Sequence, residues 1–152
     1  MAAAPESMPA PRHSVAQRVI QTQAAAQAVA AAVAHAAGLG ARVNVAVVDA
    51  SGTLAAFLRM RGAPLHSIEI AIDKAYTAAS FGLPTAAWPR ELESHSAAVR
   101  EGLVLRPRFV AFGGGLPMRE GDALIGAIGV SGGSEAQDEA IARAGLAALN
   151  LE

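Results

Sequence analysis

VNVAVVDASGTLAAFLR, residues 43–59, sets two short apolar runs on either side of Asp49-Ala50-Ser51-Gly52. Residues 43–48 are rich in β-branched side chains, DASG is a turn signal, and residues 53–59 make a second extended run. The stretch predicts an antiparallel hairpin. What flanks it decides the fold class.

Upstream, residues 14–37 read as one long helix, with Val15, Val19, Ala26, Val29, Ala30 and Val33 on a single stripe and Gly38 or Gly40 as the stop. Downstream, residues 67–81 have helical periodicity and end at Gly82 and Pro84. Residues 85–100 read as helical but broken, because Pro89 fits only a first turn. A third strand is expected at 108–112, a loop at GGGLPM (113–118), and a fourth strand at 123–130 after the Glu120-Gly121-Asp122 turn. Gly126 and Gly129 inside that last strand signal close approach of a backbone or a ligand. Residues 134–149 form the final helix, where Ser134 and Gln137 make a capping box and Glu135 and Asp138 suit the helix dipole.

Helix, hairpin, helices, hairpin, helix is an α+β order: a small antiparallel sheet covered by helices. Residues 14–150 make one domain. The first thirteen residues, MAAAPESMPAPRH, carry three prolines and predict a disordered arm, with neither the basic nor the apolar part of a secretory signal.

Composition removes several function classes. Net charge is −1 with positive charges scattered, so no basic field draws nucleic acid. The chain has no cysteine, which excludes disulfides, thiolate ligation and cysteine nucleophiles. The apolar run at 24–37 is too short and too alanine-rich to span a bilayer, so a cytoplasmic location is expected. Phosphate-loop, dinucleotide, HExxH and GxSxG patterns are missing.

One residue breaks the pattern. On a helical wheel, Lys74 and Ser67 fall inside the apolar arc of helix 67–81, opposite the sector of Glu69, Asp73, Tyr76, Thr77 and Ser80. A lysine there must snorkel, meet a carboxylate, or face a polar cavity. With Arg59, Arg61 and His66 just before it, the cavity reading predicts a ligand site and a lysine pKa below its free value, unless a carboxylate such as Asp49 pairs with it. Arg59 and Arg61 alternate at a strand end, on one face, where either can clamp a carboxylate or remain solvated. Gly113, Gly114 and Gly115 offer backbone amides to an anion, as does Ser131 with the two glycines that open the last helix; plain capping is the competing reading there.

AVVDASGTLAAFLRMRGA (46–63), Ser67 with AIDKAYTAASFGLPT (71–85), FGGGLP (112–117) and GAIGVSGGSEAQDEAIARAG (126–145) occur in an order that resembles the GlcG/HbpS family, whose haem-binding-like domain is also found at the C-terminus of PduO proteins. The resemblance spans about residues 43–145. It implies a profilin-like sandwich, a homo-oligomer from dimer to octamer, and a haem or tetrapyrrole ligand held by an accessory protein. Without cysteine an axial ligand must be His, Met or Tyr. His66 is the first candidate, with Met60, Met118 and Tyr76 in reserve; His13, His35 and His95 read as arm, solvated helix end and surface helix. The rival is a cofactor-independent enzyme on the same fold, moving a proton on a small carboxylate. In it Arg59 or Arg61 anchors the acid, Lys74 or His66 moves the proton, and the glycine amides hold an enolate. A third reading is an assembly module with a vestigial pocket.

Overall fold

The computed structural model describes residues 10–152. The part of the expected N-terminal arm before residue 10 lies outside the described residues. The elements run α1 (Thr22–Gly38), β1 (Asn44–Asp49), β2 (Leu54–Arg59), α2 (His66–Phe81), a 3₁₀ turn (Thr85–Ala87), α3 (Trp88–Glu93), α4 (Ala97–Leu103), β3 (Gly115–Glu120), β4 (Ala123–Ser131) and α5 (Glu135–Ala147). The four strands form one antiparallel sheet in the order β2-β1-β4-β3. The fold is α+β, with helices packed on the sheet.

Alternation along the strands sorts the core into two layers. Val45, Val47, Ile128 and Val130 join α1 and α5 residues such as Val29, Ala32, Ile141 and Leu146 in the larger core. Ala46, Val48 and Ala127 meet Ala71, Ala75 and Ala78 of α2 in the smaller one. Burial on both faces explains why β1 reads as an unbroken apolar run. Small side chains on the α2 side bring that helix close. A Cβ on Gly129 would collide with the Ala71 carbonyl oxygen, and one on Gly126 with the Val48 carbonyl oxygen. The strand glycines therefore accommodate backbone.

Helix α2 and its αL cap at Gly82 lie where expected, as do the first hairpin, β4, Pro89 in the first turn of α3, and the Ser134–Gln137 capping box. Three expectations fail. The first helix begins at Thr22, not residue 14, and residues 14–21 are not helical. Ile20 N–H instead donates to Ile125 O at the end of the sheet (2.9 Å), and Arg18 pairs with Glu120. The valine stripe holds only in part: Val29 is buried and Val33 packs against the core, but Val15 is 93% and Val19 48% exposed, and the other buried positions of α1 are Ala25, Ala28, Ala32 and Ala36. In α1 the inward face is marked by small size, which packs it against α5, rather than by large apolar side chains.

The third strand is also displaced. Residues 108–112 form no strand; Gly115–Glu120 does, so Gly115 through Met118 of the expected loop lie in the sheet. Pro117 is tolerated because β3 is an edge strand. Finally, the polar sector of α2 is not all solvent-facing. Thr77 is 1% exposed, roofed by the 106–110 segment, while Phe81 from the apolar arc is 47% exposed.

Candidate functional site

Lys74 is the chain's only lysine, and it is 1% exposed. Its Nζ donates to Val130 O (2.8 Å) and to Asp138 Oδ2 (2.9 Å), and lies 5.0 Å from the centre of the Phe112 ring. Helix α2 thereby reaches past the end of β4 to the first turn of α5. The expected polar cavity is filled by a carboxylate, and the partner is Asp138 rather than Asp49. Asp49 serves its own turn, accepting from Ser51 N–H (2.8 Å) and Thr53 N–H (3.1 Å).

Asp138 is 3% exposed, and its second oxygen accepts from Gly133 N–H (2.9 Å). Burial pulls the Lys74 pKa below its ordinary 10.5, while the charge and hydrogen bond of Asp138, then Glu135 and Glu139, pull it back up. Desolvation is the larger effect. Sequence reasoning missed Asp138, although a signal was there. Asp138 sits on the α5 face that buries Ile141, Ala142 and Gly145, so it mirrors the lysine on α2. Two opposite charges, each misplaced in an apolar stripe, can satisfy one another.

The glycine loop is committed to the same junction. Gly113 N–H donates to Glu135 Oε1 (2.6 Å), Gly114 N–H to Glu139 Oε2 (3.3 Å), and Gly115 N–H to Thr85 Oγ1 (2.9 Å). A Cβ on Gly114, at φ 121°, would lie 2.7 Å from Lys74 Nζ and 2.6 Å from Val130 O. These amides face the protein's own carboxylates and hydroxyl. Ser131 is buried at the end of β4, and the Gly132-Gly133 turn after it leads to the α5 cap.

The remaining candidates gather elsewhere, around the turn between β2 and α2. Strand β2 ends at Arg59, so Arg61 lies in the turn and does not share a strand face with it. Arg59 Nη2 donates to Ala63 O (2.8 Å). Arg61 lines an open cleft of about 530 Å³ with Arg42 and Met60. His66, exposed at the first position of α2, lines a shallow cleft of about 340 Å³ with Leu65, Ile68 and Glu69. Leu65 is 74% exposed. Ser67, the next residue, is 6% exposed and its N–H donates to Pro64 O (3.1 Å). The candidates thus divide into a sealed junction holding Lys74, Gly113, Gly114, Gly115 and Ser131, and an open turn holding Arg59, Arg61 and His66.

A tetrapyrrole iron needs an accessible donor, an apolar face and cations for its propionates. Met118 is fully buried in the core, the Met60 sulfur accepts from Val43 N–H (3.5 Å), and the Tyr76 ring is covered by the Arg108 guanidinium at 3.5 Å. His35 is exposed in the last turn of α1, His95 is exposed in the bend between α3 and α4 rather than on a helix, and His13 precedes α1. His66 combines exposure with apolar neighbours, while Arg59 ends β2 and Arg61 lies in the turn that follows. His66, Leu65 and Ile68 fit the edge of such a group. No cluster of three or more His, Asp or Glu suited to a bare metal ion occurs among the described residues, and none of the helices described is long and apolar enough to cross a membrane.

A four-stranded antiparallel sheet between α2 and the α1–α5 pair, closed by a lysine–carboxylate junction, defines a small α+β domain with an open basic turn on its flank. The chain belongs to the HbpS-like family, described as haem degrading protein HbpS-like, which it matches over residues 20–147. It is 38% identical over 109 residues to the corrinoid adenosyltransferase PduO of Salmonella typhimurium, a match covering 72% of this chain and 32% of that protein. The chain thus spans about a third of the length of that relative. Protein ORFY of Klebsiella pneumoniae superposes with a TM-score of 0.84 at 32% identity, covering 93% of this chain and 98% of that one. The PduOC–haem complex superposes with a TM-score of 0.80 at 35% identity, covering 88% and 97%.

Proposed function

We propose that this chain binds haem or a related tetrapyrrole on the open turn, with His66 as axial ligand. The observation that carries this reading is the exposed His66 imidazole beside Leu65 and Ile68, with Arg59 and Arg61 shortly before it in the chain. The 35% identity to a domain solved with haem supports it. Leu65 and Ile68 would offer the macrocycle an apolar face, and Arg59 and Arg61 would be the cations for its propionates. When bound, haem supplies the iron and its redox and ligand-binding chemistry.

The shelf is open, so a second copy of the chain completes it, and the working form is a homo-oligomer. In this reading Lys74 is a structural fastener. Its amine already holds two acceptors at 1% exposure, which weighs against proton transfer to a small carboxylate.

Titrating the chain with haemin and following the Soret band tests the proposal. Saturable binding by the wild type, with the band lost or shifted in His66→Ala, is expected. An unchanged spectrum in His66→Ala moves the ligand elsewhere. No binding by the wild type returns the fold to the enzyme or assembly readings.

A further inference from the structure

A third cleft, about 250 Å³, lies on the outer side of α2, between Tyr76, Thr77 and Phe81 and the loop residues Arg106, Arg108 and Phe109. Its floor is aromatic. Phe81 and Phe109 stand edge to face at 5.9 Å, and Trp88 packs on both, at 4.7 Å and 4.9 Å.

On the helix side of the cleft the Thr77 and Ser80 hydroxyls are already engaged. Thr77 Oγ1 donates to Arg108 O (2.9 Å) and accepts from Val110 N–H (3.1 Å), and the Ser80 hydroxyl donates to Tyr76 O (2.7 Å). The Tyr76 hydroxyl and the guanidinium groups are what remain. Arg108 gives Nε–H to Asp73 Oδ1 (2.9 Å), while its Nη groups and the whole Arg106 head have no acceptor among the described residues.

Arg108 is held where it is at a cost. Its φ is 66°, an uncommon region for a long side chain. Thr77, the Asp73 pair and the stack on Tyr76 together keep it there. A backbone outlier fixed from three sides at the edge of a cleft is a feature of sites.

We propose that this cleft binds a small single-ring aromatic carboxylate, with its ring against Phe81 and Phe109 and its carboxylate on Arg106 and Arg108. An aromatic floor favours an edge-to-face ring. Arginine is suited to a bidentate carboxylate. The volume lies below that of clefts that hold drug-sized ligands, which limits the ligand to about one ring. The site is separate from the His66 shelf and stands or falls without it.

Trp88 is the only tryptophan and touches both ring walls, so its fluorescence reports occupancy. The full chain is titrated with 3-phenylpropionate, its neutral amide, acetate and inorganic phosphate, with calorimetry as a second readout. Saturable binding of 3-phenylpropionate is expected, at least about tenfold tighter than the amide, acetate or phosphate. Arg106→Gln, an exposed loop change, should weaken it about tenfold while leaving the melting temperature unchanged. The proposal is overturned by no saturable response at millimolar ligand, by equal binding of the amide, by equal binding of phosphate, or by full affinity in Arg106→Gln.

Discussion

Lys74 and Asp138 are each nearly sealed from water, so removing one strands the other. Lys74→Met leaves a carboxylate with one remaining bond, from Gly133 N–H, and should cost about 3–5 kcal/mol in urea unfolding. Lys74→Met with Asp138→Asn removes both charges, keeps an acceptor for Gly133, and should recover most of that loss. Equal losses in single and double variants would show that the pair is not the cause. A titration tests the same junction. The unfolded chain holds the lysine proton up to its ordinary 10.5, whereas the folded chain releases it at lower pH. Between those two values the unfolded chain binds more protons, so stability rises with pH across that window. The rise should vanish in the double variant. Because the chain has one lysine, an NMR titration of its amine reads the lowered value directly; a midpoint at or above 10.5 contradicts it. The sequence showed that Lys74 was out of place, since wheel position is local. The partner left only a trace, a carboxylate on the buried face of α5, because the pairing itself depends on how two helices meet at the end of a sheet.

At the level of elements, side-chain size decides more than hydropathy. Gly129→Ala aims a methyl at the Ala71 carbonyl in the middle of the α2 interface, and should cost about 1–3 kcal/mol or more. Gly38, where an added methyl would meet nothing within 4 Å and φ is not positive, is the control: Gly38→Ala should be neutral or stabilise by up to about 1 kcal/mol. Thermal melts distinguish them, and equal midpoints for both variants would contradict the close packing of α2. Elements with strong local signals were readable: the DASG hairpin, the Gly82 stop and the Ser134–Gln137 box all rest on neighbours in sequence. The start of α1 and the place of β3 were not. Residues 14–21 have helical spacing, but Ile20 is drawn to the sheet by Ile125 O. FVAF at 109–112 has strand composition, yet Val110 is held by Thr77 of α2 and the pairing with β4 begins at Gly115.

For the whole molecule, the junction and the open turn have different consequences. Lys74, Asp138 and the glycine amides tie α2, β4, the loop before β3 and α5 into one body, with their hydrogen bonds directed inward. His66 and Arg61 lie outside that body and are exposed, and among the described residues Arg59 is tied only to Ala63 O. Light scattering should therefore show an oligomer at micromolar concentration; a species near 15.3 kDa alone would argue against a shelf completed by a partner. Cleft size and partner surfaces are tertiary properties, so the sequence could nominate His66 but not separate it from Lys74. The most direct measurement is a haemin titration of three proteins side by side, followed at the Soret band: wild type, His66→Ala, and Lys74→Met with Asp138→Asn. The account predicts that the double variant binds haemin like the wild type and that His66→Ala, folded and assembled, loses or shifts the band. Wild-type binding by His66→Ala together with loss of binding in a folded double variant would contradict it and place the ligand at the lysine.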